Sequence, residues 1–224
     1  MAEALVSESA LPDDAIAELA HIALGVIPSR LRAIAVSGPA PPSSFDAGPG
    51  WLVNWTAHQP YLLLAEPGPQ AADLLPQFLE DRTAAVGPAL LPPYAHLSLR
   101  WARTLLRVLP SGGSSKGGLV HVEDHLLTVI LMQDQELAKL LISHRLDRLL
   151  RLTPVKQERI AQTLLAWFES DGVDSVAERL NVHPQTVRYR LRRAREIFGS
   201  GLRVSDQRLQ LHLALKVLDF TGGP

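Results

Sequence analysis

The sequence predicts an α+β fold in two parts: an N-terminal mixed α/β sheet domain, then a C-terminal all-α domain. Three observations carry this. Short aliphatic runs broken by proline- and glycine-rich turns alternate with helical patterns through the first half. From residue 123 onward, apolar residues recur at helical spacing. Five arginines then crowd between Arg188 and Arg195 on a late helical stretch.

The first half reads as follows. A helix covers 13–24 and stops at Gly25. Residues 31–36 alternate as a strand, and 37–50 hold four prolines and three glycines, which makes them a loop. Residues 51–56 and 61–65 are strand-like, with His58-Gln59-Pro60 placed for a hairpin turn. A helix is predicted over 71–80 and a short strand over 83–86. Residues 95–109 form an amphipathic helix, with Leu97, Trp101, Leu105 and Leu109 inward and Arg100, Arg103 and Arg107 outward. That arginine stripe reads as a solvated face rather than as an anion or partner site. Residues 110–118 are Pro, Ser, Gly and one Lys, hence another loop, and 119–122 are a last strand.

Residues 123–153 read as a helical connector. Its leucines are too dense for a surface helix with one core face, so it is expected to bury against both domains or against a second chain. After Pro154 a helix over 156–169 sets Ile160, Leu164 and the Trp167/Phe168 pair on one side. A final helix over 206–220 carries Leu209, Leu213 and Val217.

Residues 175–198 specify chemistry. Val176, Ala177 and Leu180 are the apolar side of a short helix, and small Ala177 admits close packing. Asn181 tolerates the left-handed conformation that a helix end needs. His183 sits in the next N-cap region, and Pro184 suits a first helical turn. Val187, Leu191, Ala194 and Phe198 then form one inward stripe. The result is a helix-turn-helix whose second helix is slim enough for a major groove. Such helices present their first turns to base edges, which makes Gln185, Thr186, Arg188 and Tyr189 the base-reading candidates. His183, Arg190, Arg192, Arg193 and Arg195 are the phosphate candidates, which position without reading sequence.

Charge distribution agrees. Net charge is −1, yet residues 151–204 hold ten Lys/Arg against six acids, a net +4 that leaves −5 elsewhere. A basic module on an acidic body suits a regulator that touches nucleic acid. The chain has no cysteine, which removes disulfides and thiolate metal sites and fits a reducing cytoplasm. No apolar run reaches membrane-span length, so no membrane partner is expected, and 1–14 lack the pattern of a secretion signal.

Other signals are weaker. The stretch 112–118 lacks the Gly-x4-Gly-Lys-Ser/Thr spacing of a phosphate loop. His121 and His125 straddle a strand end and a helix start, so they do not share a helix face. No metal site is expected, and Asp124 reads as a helix N-terminal acid. No Ser/His/Asp set or catalytic carboxylate pair is legible, so no catalytic residues and no cofactor are predicted.

Residues 159–220 resemble the C-terminal helix-turn-helix of the PucR/CdaR transcription regulators. The resemblance rests on Thr163-Leu164 with Trp167-Phe168, on Asp171-Gly172, on 177–180, on 182–191 and on 208–218. The family often has a basic residue and Asn where this chain has Pro184 and Gln185. Arg190 stands where the repressor-type pattern has an apolar residue. More loosely, the order of elements upstream is similar to the degenerate GGDEF-like domain that precedes this module in that family. Active diguanylate cyclases carry a Gly-Gly-Asp/Glu-Glu-Phe hairpin, whereas the matching turn here, 57–60, has neither glycine nor acid.

The resemblance implies three segments: 1–122, a GGDEF-like regulatory or oligomerisation domain; 123–153, the connector; and 154–224, the DNA-binding domain. It implies a cytoplasmic regulator of double-stranded DNA, not an enzyme, acting as a homodimer or higher homo-oligomer and open to a small-molecule effector. The competing readings are a GGDEF-derived nucleotide-processing enzyme and an interaction module that has lost DNA binding.

Overall fold

The computed structural model describes residues 2–6, 12–38, 49–66, 82–109 and 118–222. Most of the loop over 37–50, the helix over 71–80 and nearly all of the 110–118 loop lie outside the described residues. The chain divides into two compact units, Met1–Gln133 and Asp134–Pro224.

The first unit is built on a five-stranded mixed sheet of order β2-β3-β1-β4-β5. Its strands are β1 (Arg30–Val36), β2 (Trp51–Asn54), β3 (Tyr61–Glu66), β4 (Ala84–Val86) and β5 (Leu119–His121). β1 runs antiparallel to both β3 and β4, and β5 runs parallel to β4. Residues 61–65 are all buried, which is why β3 reads as an unbroken apolar run rather than an alternation. Leu31, Ala33 and Leu63 feed one face of the sheet; Ile34, Leu62 and Val86 feed the other.

The hairpin pairs Trp51 with Leu64 and Asn54 with Tyr61. Its turn is shaped by Asn54, whose Oδ1 accepts from Thr56 Oγ1 at 2.9 Å and from the Ala57 N–H at 3.1 Å. This is an Asx-type turn, in which a side chain replaces a backbone partner.

Helices α1 (Ala2–Val6), α2 (Asp13–Leu24) and α3 (Ala95–Val108) supply apolar side chains to the first face. α2 stops as predicted at Gly25, whose φ of 68° lets its N–H reach the His21 carbonyl. α3 differs from the predicted phase. Its buried side is Ala95, Ser98, Leu99, Ala102, Thr104 and Leu105, while Leu97, Trp101 and Leu109 are only half-buried. Small residues let α3 lie close on the sheet. A Cβ at Gly87 would stand 2.3 Å from the Ser98 carbonyl oxygen, and Ser98 Oγ accepts the Ala33 N–H at 3.0 Å.

Residues 123–153 are helical in pieces rather than continuously. A 3-10 turn (Val122–His125) leads into α4 (Leu126–Leu131), and α5 (Gln135–Leu150) begins afresh. Asp134 caps α5 by accepting the N–H groups of Glu136 and Leu137, both at 3.0 Å. The division between the two units falls at this cap, so α4 belongs to the first unit and α5 to the second.

The second unit contains α5, α6 (Pro154–Phe168), α7 (Val173–Arg179), α8 (Pro184–Phe198) and α9 (Ser205–Phe220). Its core includes Leu146, Leu149, Ile160, Leu164, Val176, Val187, Leu191 and Leu215. Gln157 ties the α5–α6 turn, donating from Nε2 to the carbonyls of Leu150 at 2.8 Å and Leu152 at 2.7 Å. α9 buries Leu211, Ala214, Leu215, Val217 and Leu218. Of the apolar residues named from the sequence, Val217 is buried, Leu213 is half-buried and Leu209 is exposed.

Candidate nucleic-acid interface

The α7–α8 turn forms for local reasons. Asn181 has φ of 50°, the one positive value at a non-glycine among the described residues. That conformation brings the Val182 N–H to the Ala177 carbonyl at 2.9 Å and the Asn181 N–H to the Glu178 carbonyl at 3.1 Å. The two bonds are a Schellman closure, which satisfies carbonyls that the end of α7 would otherwise leave open.

α8 starts one residue later. His183 is its N-cap, with Nδ1 accepting the Gln185 N–H at 3.1 Å, and Pro184 occupies the first helical position. An accepting Nδ1 leaves Nε2 to carry the ring proton, on an exposed side chain able to donate to an oxygen. Val187, Leu191, Ala194 and Ile197 are buried. Ile197 takes the place predicted for Phe198, which is half-buried against the same core.

The opposite face is open. Gln185, Arg188, Tyr189, Arg192, Arg193 and Arg195 are exposed, and Thr186 is half-buried. The Arg192 guanidinium lies 5.7 Å from the Tyr189 ring centroid, so the two side chains rest together. Arg193 bonds Glu196 at 2.6 Å, which offsets part of its charge. Arg188 and Arg195 have no ion pair among the described residues.

Arg190 is placed differently from its neighbours. It is half-buried and donates to Thr163 Oγ1 of α6 at 3.3 Å. Burial, with Arg159 nearby, pushes its pKa below the ordinary arginine value. Arg190 therefore anchors α8 to α6 instead of standing among the phosphate candidates. Its departure from an apolar pattern now has a physical reading: the aliphatic stem is buried and the head meets a hydroxyl.

A second element that sequence reasoning missed is Glu169, at the C-terminal end of α6. It bonds Arg179 of α7 at 2.8 Å and Lys216 of α9, and His212 Nε2 stands 3.7 Å away. The Lys216 bond, aided by Arg179, holds the Glu169 carboxyl down at about 2. Burial pushes His212 below its ordinary value. The cluster ties α6, α7 and α9 together behind the turn. One signal was available: an acid at a helix C-terminus opposes the helix dipole and needs cations to offset it.

No metal-holding group of three or more His, Asp or Glu occurs among the described residues, and His121 and His125 have no third ligand there. No helix among the described residues is long and apolar enough to cross a membrane.

Residues 160–217 match the model of the PucR C-terminal helix-turn-helix domain. Comparison with curated proteins gives no match. Among solved structures, the chain is similar to a regulator of polyketide synthase expression from Bifidobacterium adolescentis, at 20% identity and a TM-score of 0.43, over 98% of this chain and 96% of that one. The match spans the Glu169 cluster, the Asn181 turn and all of α8, so the helix-turn-helix geometry and the matched segment coincide.

Proposed function

We propose that the chain is a transcription regulator that binds double-stranded DNA sequence-specifically through α8, and that it is not an enzyme. The observation that carries this is the division of α8 into a buried stripe and an open face of Gln185, Arg188, Tyr189, Arg192 and Arg195, inside a matched helix-turn-helix domain. Gln185, Thr186, Arg188 and Tyr189 lie on the first turns and read base edges. His183, Arg192, Arg193 and Arg195 hold phosphates.

One short helix covers one half-site, so the chain acts as a homodimer or higher homo-oligomer. Residues 1–122 serve as a GGDEF-like regulatory or oligomerisation domain, 123–153 connect, and 154–224 bind DNA in the cytoplasm. A small-molecule effector acts through the first unit. Against a nucleotide-processing enzyme stands the hairpin turn 57–60, which carries neither glycine nor acid.

The test is selection of bound DNA from a random pool by the purified chain. The reading predicts an enriched motif, repeated at a spacing near one helical turn, about 10–10.5 base pairs or a multiple. Enrichment of no sequence would remove the sequence-specific reading.

A further inference from the structure

Arg100 and Arg107 of α3 are exposed as expected of a solvated face, whereas Arg103 between them is half-buried. Arg100, Arg103 and Arg107, spaced three and four residues apart, line one cavity of about 300 Å³ together with His96, Thr104 and Gln59. That volume is at the lower end of small-ligand pockets. Among the described residues the lining holds three arginines and one histidine and no carboxylate.

Arg103 is the centre of this arrangement. It donates from one terminal nitrogen to the Gln59 carbonyl at 3.0 Å and lies 5.3 Å from the Tyr61 ring centroid. Its Nε is buried and has no hydrogen-bond partner. Burial pushes the guanidinium below its ordinary pKa, against a smaller opposing pull from Tyr61. Arg107 is exposed and donates to the neutral Thr104 hydroxyl at 3.2 Å. Among the described residues neither Arg103 nor Arg107 is in an ion pair.

The Gln59 carbonyl and the Tyr61 ring offset part of the cost of half-burying this cation, and an anion would offset the rest. The planar fork of arginine is suited to bidentate capture of carboxylate or phosphate oxygens. We infer that this cavity is a binding site for a small oxyanion-bearing metabolite, held between Arg103 and Arg107. The size admits a small dicarboxylate or a phosphate monoester. Calling that ligand the effector rests on the regulator reading above; the anion site itself does not.

The test uses the full chain at constant ionic strength, titrated separately with inorganic phosphate and with succinate, and followed by calorimetry and by thermal denaturation. Saturable binding of at least one anion is expected, with a concentration-dependent rise in Tm. The arm that saturates identifies phosphate or carboxylate chemistry. Arg107→Gln, at an exposed position, keeps the fold and weakens binding about tenfold or more, the loss of one charge-assisted contact. Arg103→Lys retains charge but loses the fork, and weakens binding as well. Arg151→Gln, on the second unit, binds as the parent does. Saturation by neither anion, or an unchanged affinity in Arg107→Gln, overturns the proposal. Because the readout is anion binding without DNA, failure here and failure of DNA recognition are separate results.

Discussion

Helices α3 and α8 both carry arginines at helical spacing, and they use them in opposite ways. On α8 one arginine, Arg190, turns inward to Thr163 while Arg188, Arg192, Arg193 and Arg195 stand in solvent. On α3 the stripe faces a cavity, and its middle member is half-buried over Tyr61. The difference teaches that an arginine stripe has no meaning until its surroundings are known. An open convex face suits a long polyanion such as a duplex backbone, which binds by neutralising many phosphates at once. A concave pocket suits one small anion gripped on several sides.

Substitutions can break this contrast, and the largest effect belongs to the packing beneath α3. Gly87→Ala places a methyl group against the Ser98 backbone and hydroxyl, which cannot yield without moving α3. A loss of about 3 kcal/mol is expected by chemical denaturation, at the upper end for overpacking, and anion binding falls with it. Little change would show that α3 is not seated closely on the sheet.

Next is the ion cluster behind α8. The folded pKa of Glu169, about 2, lies below its ordinary value of 4.5, so its contribution is full above pH 4.5 and disappears as pH falls toward 2. Glu169→Gln should lower stability by about 1–2 kcal/mol at neutral pH, allowing for partial exposure. The gap from the parent should close as pH drops through that window. A gap constant with pH would show that the charge of Glu169 is not what matters.

A smaller effect is expected for Arg190→Ala. It removes the bond to Thr163, costs about 1 kcal/mol of stability and weakens DNA binding only through misplacement of α8. A fall in the salt slope of DNA binding by a full phosphate, with unchanged Tm, would return Arg190 to the phosphate set. The smallest effect on stability is that of Arg193→Ala. Its partner Glu196 is about half exposed, so less than about 0.5 kcal/mol is expected by thermal denaturation.

The helix-turn-helix was legible because its determinants are local. Asn181, His183 and Pro184 act on backbone groups within a few residues of themselves, and the open face of α8 follows from the stripe at Val187, Leu191 and Ala194. The hairpin and the strands were legible for the same reason. The break at Asp134 carried a signal, a capping aspartate before Glu136, that leucine density hid. The phases of α3 and α9 were not legible. α9 has apolar residues on most sides, and α3 turns its smallest residues to the sheet, so size and hydropathy pointed away from the buried side. The inward turn of Arg190 and the grouping around Glu169 depend on partners 27 and 47 residues away. Periodicity within one helix contains no information about those partners.

The central claim is that the open face of α8 holds and reads a duplex, and it is tested most directly by comparing Arg188→Ala with Arg192→Ala. Binding of each variant and the parent is measured on the selected site, on sites changed at single base pairs, and across salt concentrations. Arg192→Ala should weaken every sequence alike and reduce the salt slope by about 1, the release of one phosphate contact. Arg188→Ala should relax preference at one base pair, by about 1–3 kcal/mol, and leave the other positions as they were. Equal loss on every sequence in both variants would contradict the division of α8 into reading and holding groups. Parent binding that does not weaken with salt would contradict the role of its arginines altogether.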